Sequence, residues 1–229
     1  MHKVEQSVKW KSLLGLIWLM LVLGMLLFVP AGTIHFWQAW IYLTIFGVSS
    51  LLITLFLMKN DTELLKRRLN AGSKAEKERR QKIIQSFAGF SFMGIMLVPG
   101  LDRRLGWSSV PLYQEIIGEI FVALGFLIVF FVFKENTYAS ATIETAENQR
   151  VISTGPYAVV RHPMYSGALL MLLFTPPALG SYWGLIFVVV MIIVIIGRLL
   201  DEEQFLSKNL PGYKEYCQKT RFRLIPKIW

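Results

Sequence analysis

Long apolar runs separated by short polar connections dominate the hydrophobic pattern of this chain. The first four runs cover residues 10–29, 34–58, 83–101 and 112–133. Each is about as long as the ~20 apolar residues that a helix needs to cross a bilayer. No small-residue cleavage pattern follows the first run, so we interpret it as a retained span and not as a cleaved signal. The pattern predicts four transmembrane helices, of which the third should stop near Pro99.

The last apolar block has a different plan, since a turn at Gly180 divides it into two limbs of similar length. The limbs cover residues 163–179 and 181–200, and Pro163 is suited to the first position of a helix. At about 1.5 Å per residue the first limb covers about 25 Å, slightly less than the ~30 Å hydrocarbon core. We therefore expect a tight helical hairpin that barely spans the membrane or re-enters it.

This hairpin should bring its two polar ends to the same membrane depth. The first end contains Arg161, His162 and Tyr165, and the second contains Arg198 and the acidic run at 201–203. Because the limbs are similar in length, residues far apart in sequence should lie close together. The basic, amphipathic segment that follows should lie on the membrane surface or cap the site.

Composition also indicates a membrane protein. Of the 229 residues, 54% are hydrophobic and 17% are charged, whereas soluble domains carry roughly 25% charged residues. The predicted fold class is all-α: a polytopic membrane helix bundle with about six crossings, a C-terminal helical hairpin and a cytosolic tail. Residues 1–82 should form two transmembrane helices and a basic cytosolic loop. Residues 83–229 should form the core that carries the site and the amphipathic tail.

Positive charge is concentrated in the connection after the second apolar run. Its nine basic residues are Lys59, Lys66, Arg67, Arg68, Lys74, Lys77, Arg79, Arg80 and Lys82. If the spans alternate from a cytoplasmic amino terminus, only Arg103 and Arg104 of the 24 Lys and Arg residues fall on the opposite side. The positive-inside rule then places both termini and the site in the cytoplasm. The loop lacks the interleaved aromatic residues that stack on bases, so we expect no nucleic-acid partner.

Cysteine and histidine usage argues against a metal centre. Cys217 is the one cysteine, which excludes an internal disulfide and a thiolate-cluster zinc site. The three histidines, His2, His35 and His162, are far apart in sequence. We therefore expect no metal.

The polar segment at 155–167, G-P-Y-A-V-V-R-H-P-M-Y-S-G, suggests the binding of a charged small molecule. Together with the second end of the hairpin it offers cations (Arg161, Arg198) and carboxylates (Glu202, Glu203). The helix amino terminus at Pro163 favours an anion. A zwitterionic cofactor fits this set of groups. The alternative is a purely structural network that ties the hairpin to the tail.

The ordered motifs of this region resemble a family of membrane enzymes. They are T-G-P-Y at 154–157, R-H-P-M-Y-S-G at 161–167 and, after the hairpin, the pair Glu202-Glu203. This set is similar to that of the integral membrane methyltransferases typified by isoprenylcysteine carboxyl methyltransferase and the phospholipid N-methyltransferases. The resemblance extends from about residue 112 to the carboxyl terminus, so that 83–229 would contain the methyltransferase core.

The resemblance implies S-adenosylmethionine as cofactor, held at the cytosolic end of the hairpin. The implied cofactor-binding residues are Val151, Ile152, Tyr157, His162, Pro163, Met164, Tyr165 and Glu202. Arg198 matches a position that is associated with the acceptor carboxylate in the prenylcysteine enzymes. The acceptor should be lipophilic or small and membrane-permeant.

The chemistry of transfer leaves the need for a base open. A sulfonium methyl group is already activated, so alignment matters more than covalent help. Glu203 could act as a general base if the acceptor is an amine or a thiol, whereas a carboxylate acceptor needs none. We therefore predict Glu203 and Arg198 as the catalytic residues.

Two other functions are compatible with the sequence. NADPH-dependent membrane reductases of the sterol or steroid type have similar carboxyl-terminal regions, with paired tyrosines and a basic end. The M-Y-S-G context at 164–167 and the acidic pair favour methyl transfer over this alternative. The second alternative is a non-catalytic membrane scaffold.

Overall fold

The computed structural model describes residues 2–69, 72, 76, 78–146 and 148–229, with side chains from residue 6 onward. Within these residues the fold is all-helical and has no strand. Its elements are α1 (His2–Ala31), α2 (Trp37–Asn60), α3 (Thr62–Leu69), α4 (Arg79–Leu105), α5 (Leu112–Glu135), a 3₁₀ turn (Gly155–Ala158), α6 (Pro163–Ala178), α7 (Leu185–Asn209) and α8 (Tyr213–Lys219). The predicted all-α fold class is confirmed.

Four of the described helices are long and apolar enough to cross a membrane, namely Gln6–Ala31 within α1 and the whole of α2, α4 and α5. The protein is therefore an integral membrane protein. The limbs of the late hairpin differ from these spans, since α6 has only 16 residues and α7 carries charged residues in its last turns. Six crossings and cytoplasmic termini stay predictions.

The prolines of the apolar runs do not end the helices, contrary to the expectation for Pro99. Pro30 lies inside α1 and Pro99 lies inside α4, which continues to Leu105. Prolines are tolerated in membrane helices because neighbouring groups satisfy the freed backbone atoms. The α4 helix ends where Gly106 adopts a left-handed conformation, with φ of 67°. Glycine accepts this conformation at little cost.

The two late limbs do not form a tight hairpin. Helix α6 packs mainly against α5, and α7 packs mainly against α4. Glycines explain the first pairing, because a Cβ atom at Gly125 would lie 2.8 Å from the carbonyl oxygen of Gly167. Such small residues let helix backbones approach closely. The limbs therefore diverge and leave space between them.

The basic connection contains a helix that the sequence did not predict. Asp61 accepts a hydrogen bond from the backbone N–H of Leu64 at 2.8 Å, as a helix-capping side chain does. Leu64 and Leu65 are buried, and α3 packs against α1 and α2. Two of the nine basic residues, Lys74 and Lys77, lie outside the described residues.

The tail closes on the start of α6. The backbone N–H groups of Arg161 and His162 each donate a 2.9 Å hydrogen bond, to the carbonyls of Phe222 and Arg223. The Ser166 hydroxyl donates to the carbonyl of Leu224 at 2.7 Å. Of the two expected positions for the tail, these contacts give the one that caps the site.

Candidate functional site

A cavity of about 480 Å³ lies where α6 begins and α7 ends. Its volume is within the ~300–1,000 Å³ range of small-molecule sites. Eight sequence-predicted site residues line it: Val151, Ile152, Tyr157, His162, Met164, Tyr165, Arg198 and Glu202. Pro163 and Glu203, the other two, lie beside the cavity and not in its wall. The structure therefore brings most of the predicted set around one space.

Tyr165 joins the two ends of the hairpin. Its hydroxyl donates to Glu202 Oε2 at 2.6 Å and accepts from Arg198 Nε at 3.2 Å. The sequence predicted that these residues meet, and the contacts confirm it. In the described part of the chain no ion pair involves Glu202. Its carboxylate is thus a negative group in the cavity wall that a cationic ligand can neutralise.

Glu203 is contacted by residues just before α6 and in the tail. Arg161 Nε lies 2.8 Å and His162 Nε2 lies 3.3 Å from Glu203 Oε1, while Arg223 Nε lies 2.9 Å from Oε2. Burial alone raises the pKa of Glu203, but the hydrogen bonds from His162 and Arg223 and the charge of Arg161 hold it below its usual value. Three side chains thus surround the Glu203 carboxylate, and its role as a general base stays a prediction.

Arg198 is also held by its own chain. Its Nη1 atom forms a 2.8 Å ion pair with Glu76 Oε1 and donates to Gln81 Oε1 at 3.0 Å. Its Nη2 atom donates to the carbonyl of Ala141 at 2.8 Å, and Nε reaches Tyr165. With three nitrogen atoms engaged, Arg198 is placed to orient Tyr165. The sequence-based expectation that it holds an acceptor carboxylate gains nothing from these contacts.

The polar connection before α6 supplies wall residues that sequence reasoning missed. They include Asn136, Tyr138, Thr142, Glu144, Gln149 and Arg150. Asn136 donates to the Tyr157 hydroxyl at 2.7 Å, and burial raises the pKa of Tyr157 to about 12 against the opposing effect of that bond. The richness of this connection in Thr, Glu and Asn was the available signal.

The tail and the basic connection also contribute to the wall. Tyr213 and Tyr216 of α8 line the cavity and pack with Val151 and Tyr157. Their three-residue spacing was visible in the sequence. Arg68 of α3 also lines the cavity. The sequence did not single out Arg68 as a cavity residue, because the positive-inside rule already accounted for the basic loop to which it belongs.

The far end of the cavity is apolar. Four helices form it, with apolar side chains of Ile84, Ala88, Val129, Ala168, Met171, Val194 and Ile195, beside which Gln85 is a polar wall residue. These residues belong to the membrane-embedded runs of α4 to α7, whereas Glu202, Arg150 and Gln149 belong to the polar ends. The cavity therefore changes from polar to apolar along its length.

These groups fit a zwitterionic nucleoside-type cofactor at the polar end. Glu202 offers a carboxylate to a cationic group, and Arg150 offers a guanidinium to an anionic group. Tyr157, Tyr165 and Tyr213 offer aromatic faces. In the part of the chain that the structure describes, no cluster of three or more His, Cys, Asp or Glu side chains could hold a metal ion.

Comparison with known proteins covers the same part of the chain. Residues 113–211 match the family model of the phospholipid methyltransferases, described as "Phospholipid methyltransferase". The chain is also similar to the Delta(14)-sterol reductase of Mus musculus, with 32% identity over 91 residues. That alignment covers 38% of this chain and only 22% of the reductase. The matched family segment begins in α5, includes all of α6 and α7, and contains Tyr165 and Glu202. The part of the chain from residue 113 to residue 211 is therefore similar to the phospholipid methyltransferase family.

Proposed function

We propose that this protein is an S-adenosylmethionine-dependent methyltransferase that acts on a lipophilic or small membrane-permeant acceptor. The observation that carries the proposal is a single cavity with the Glu202 carboxylate at its polar end and an apolar wall at the other. A charged methyl donor comes from water and an apolar acceptor comes from the membrane. A site that brings them together therefore needs a polar end and an apolar end.

The polar end has the charges that the methyl donor requires. S-Adenosylmethionine supplies a methyl group activated by a sulfonium, together with an ammonium and a carboxylate. Glu202 binds the cationic part, since its carboxylate has no cation of its own among the described residues. Tyr165 orients Glu202 through their 2.6 Å hydrogen bond. The His162 ring stacks on the Tyr165 ring, with 5.8 Å between the ring centroids, and supports that orientation.

A second set of contacts fixes this polar end in place. Glu203 binds Arg161 and His162 just before α6 and Arg223 in the tail. Arg198 anchors Tyr165 to Gln81 on α4. Because an in-line displacement depends on alignment, rigid placement of Glu202 and Tyr165 is the main contribution of the protein.

The apolar end suits an acceptor that comes from the membrane. Ile84 and Ala88 on α4 and Val194 and Ile195 on α7 line the cavity at this end. A lipophilic acceptor buries its apolar part there and presents its polar atom toward Glu202. The acceptor atom can be a carboxylate, an amine or a thiol.

Ligand-induced thermal stabilisation tests the cofactor. The purified full chain should unfold at a higher temperature with S-adenosylhomocysteine and not with NADPH. Membranes supplied with a mass-labelled methyl donor should then produce a labelled lipophilic product that depends on the protein. No stabilisation by S-adenosylhomocysteine at millimolar concentration contradicts the proposal.

A sterol-type reductase is the second candidate, and the similarity to the mouse Delta(14)-sterol reductase favours it. The same cavity places Arg68, Arg150 and Arg161 near a bound molecule, and these could hold the phosphates of NADPH. Stabilisation by NADPH and not by S-adenosylhomocysteine supports this candidate. Stabilisation by neither leaves the non-catalytic scaffold as the better description.

A further inference from the structure

Arg68 is a cation of the cavity wall that has no carboxylate partner among the described residues. Its Nη1 atom donates one hydrogen bond, of 3.2 Å, to the carbonyl of Ser140. Its guanidinium lies 5.2 Å from the centroid of the Phe133 ring. Among the described residues it forms no ion pair. Most of its donors are thus available to a ligand.

The surroundings of Arg68 make its charge costly in the empty cavity. Burial lowers the pKa of Arg68, and Arg198 lies within electrostatic range of it. Arg198 has Glu76 as its counter-ion at 2.8 Å, whereas no carboxylate in the described part of the chain pairs with Arg68. A guanidinium keeps its proton under nearly all conditions, so an anion is the natural compensating group.

The position of Arg68 marks the border between the polar and apolar ends. Phe133, under the guanidinium, lies in the last turns of α5, and Val129 of the apolar wall lies one turn, or about 6 Å, further into the helix. A group bound to Arg68 can therefore continue directly into the space beside Val129, Ile84 and Ala88.

We propose that Arg68 holds the acidic head group of an amphiphilic ligand whose apolar chain lies between α4, α5, α6 and α7. The inference rests on the proposed function in so far as this amphiphile is the methyl acceptor. It gives α3, which lies outside the matched segment 113–211, the role of selecting the acceptor. It also assigns to Arg68 the contact with an acid that the sequence suggested for Arg198.

Arg67 is a matched control on the same helix. Its Nη2 atom donates to the carbonyl of Thr137 at 2.9 Å, and its guanidinium lies 6.0 Å from the Tyr138 ring centroid. It therefore makes the same two kinds of contact as Arg68, but it does not line the cavity. Arg68→Gln keeps a donor for the carbonyl of Ser140 while it removes the charge, and Arg67→Gln does the same at the control position.

The experiment measures binding of simple amphiphiles to the full chain in phosphatidylcholine nanodiscs, by the shift in thermal unfolding with ligand concentration. The ligands are dodecyl phosphate, dodecanoate, dodecanol and inorganic phosphate. We expect both acidic amphiphiles to bind, and their relative affinity tells which acid the site prefers. Arg68→Gln should raise the Kd of the preferred acid about tenfold or more, as expected for loss of a hydrogen bond to a charged group. Arg67→Gln should change it less than about twofold.

The inference is overturned if dodecanol or inorganic phosphate binds as tightly as the acidic amphiphiles, or if the two Gln variants behave alike. If Arg68→Gln does not fold, Arg68→Lys is used as the test variant, since it keeps the positive charge and loses the planar set of guanidinium N–H donors. It should bind dodecyl phosphate more weakly than the wild type, and equal binding counts against the inference. S-Adenosylhomocysteine binding is measured in parallel. If amphiphiles bind in an Arg68-dependent way but S-adenosylhomocysteine does not bind, only the proposed function is refuted. If S-adenosylhomocysteine binds but the amphiphiles do not, only this inference is refuted.

Discussion

The hydroxyl of Tyr165 donates a 2.6 Å hydrogen bond to Glu202 Oε2, although 37 positions separate the two residues in sequence. The same oxygen accepts a hydrogen bond from Arg198. Because Tyr165 is tied on both sides, the Glu202 carboxylate is held in one place at the cavity wall. This relationship links the start of α6 to the end of α7.

Glu202→Gln should weaken S-adenosylhomocysteine binding about tenfold, because a charge-assisted contact to the ligand ammonium is lost. The uncharged amide can still accept the hydrogen bond from Tyr165, so folding should be retained. Asp201→Asn is the matched control, since Asp201 contacts Gln81 and Arg80 and does not line the cavity. Calorimetric titration measures both Kd values. Equal affinity of the Glu202 variant and the wild type contradicts the assigned role.

Stability should depend on Glu203 in a pH-dependent way. Its pKa is lower in the folded protein than in the unfolded chain, so its carboxylate contributes stability above the usual value near 4.3 and loses it as the pH falls through the folded-state value. Glu203→Gln should destabilise the protein by about 3 kcal/mol at pH 7, because the Arg161 side chain, which is only 9% exposed, loses its partner.

Thermal unfolding of the wild type and Glu203→Gln at several pH values tests this prediction. The difference in Tm should be largest at neutral pH and should shrink as the pH falls below about 4. A difference that stays constant across this range means that Glu203 is not an ionised partner of Arg161 and Arg223.

Arg198→Met and Glu76→Gln should each destabilise the fold by about 3 kcal/mol, because each leaves a buried charge without its partner. The two side chains are only 10% and 3% exposed. The double variant should lose less than the sum of the single variants, as expected for contacting residues. If Arg198 instead served only an anionic acceptor, Arg198→Met would raise KM alone and Glu76→Gln would have no effect. Tm values and steady-state kinetics separate the two outcomes.

Gly125→Ala should destabilise the α5–α6 pair by about 1–3 kcal/mol, the usual cost of overpacking. An added Cβ would lie 2.3 Å from Met171 Cγ and 2.8 Å from the carbonyl oxygen of Gly167. Gly89→Ala in α4 is the control, because a Cβ there meets nothing within 4 Å. Its Tm should be equal to or slightly above that of the wild type. Equal stability of both variants contradicts the close approach of α5 and α6.

The apolar runs were sufficient to predict the helices, because the bilayer imposes a minimum length and apolar surface on each span. The start of α5 at Leu112 and of α6 at Pro163 was predicted. The end of α7 was not, since the run stops at residue 200 and the helix continues to Asn209. Its charged last turns are stabilised because Asp201 pairs with Arg80 on α4, while Glu203 pairs with Arg161 just before α6 and with Arg223 in the tail.

Local motifs identified some residues of the candidate site and missed others. Tyr165 and Glu202 belong to recognisable motifs, and their meeting follows from two limbs of similar length. Arg68 belongs to no motif, and a basic loop at a membrane surface is common for reasons of orientation alone. Its place in the cavity depends on how α3 packs against α1 and α2, which no pattern in the sequence expresses.

The sequence by itself determined that the chain is a helical membrane protein and which residues form the two polar ends of the late hairpin. Hydrophobic length and motif order are local properties, so they can be identified without coordinates. Only the tertiary structure decided which charges are already paired and which face the cavity. Pairing depends on distances of a few ångströms between distant parts of the chain, and those distances left Glu203 and Arg198 engaged while Glu202 and Arg68 stayed available to ligands.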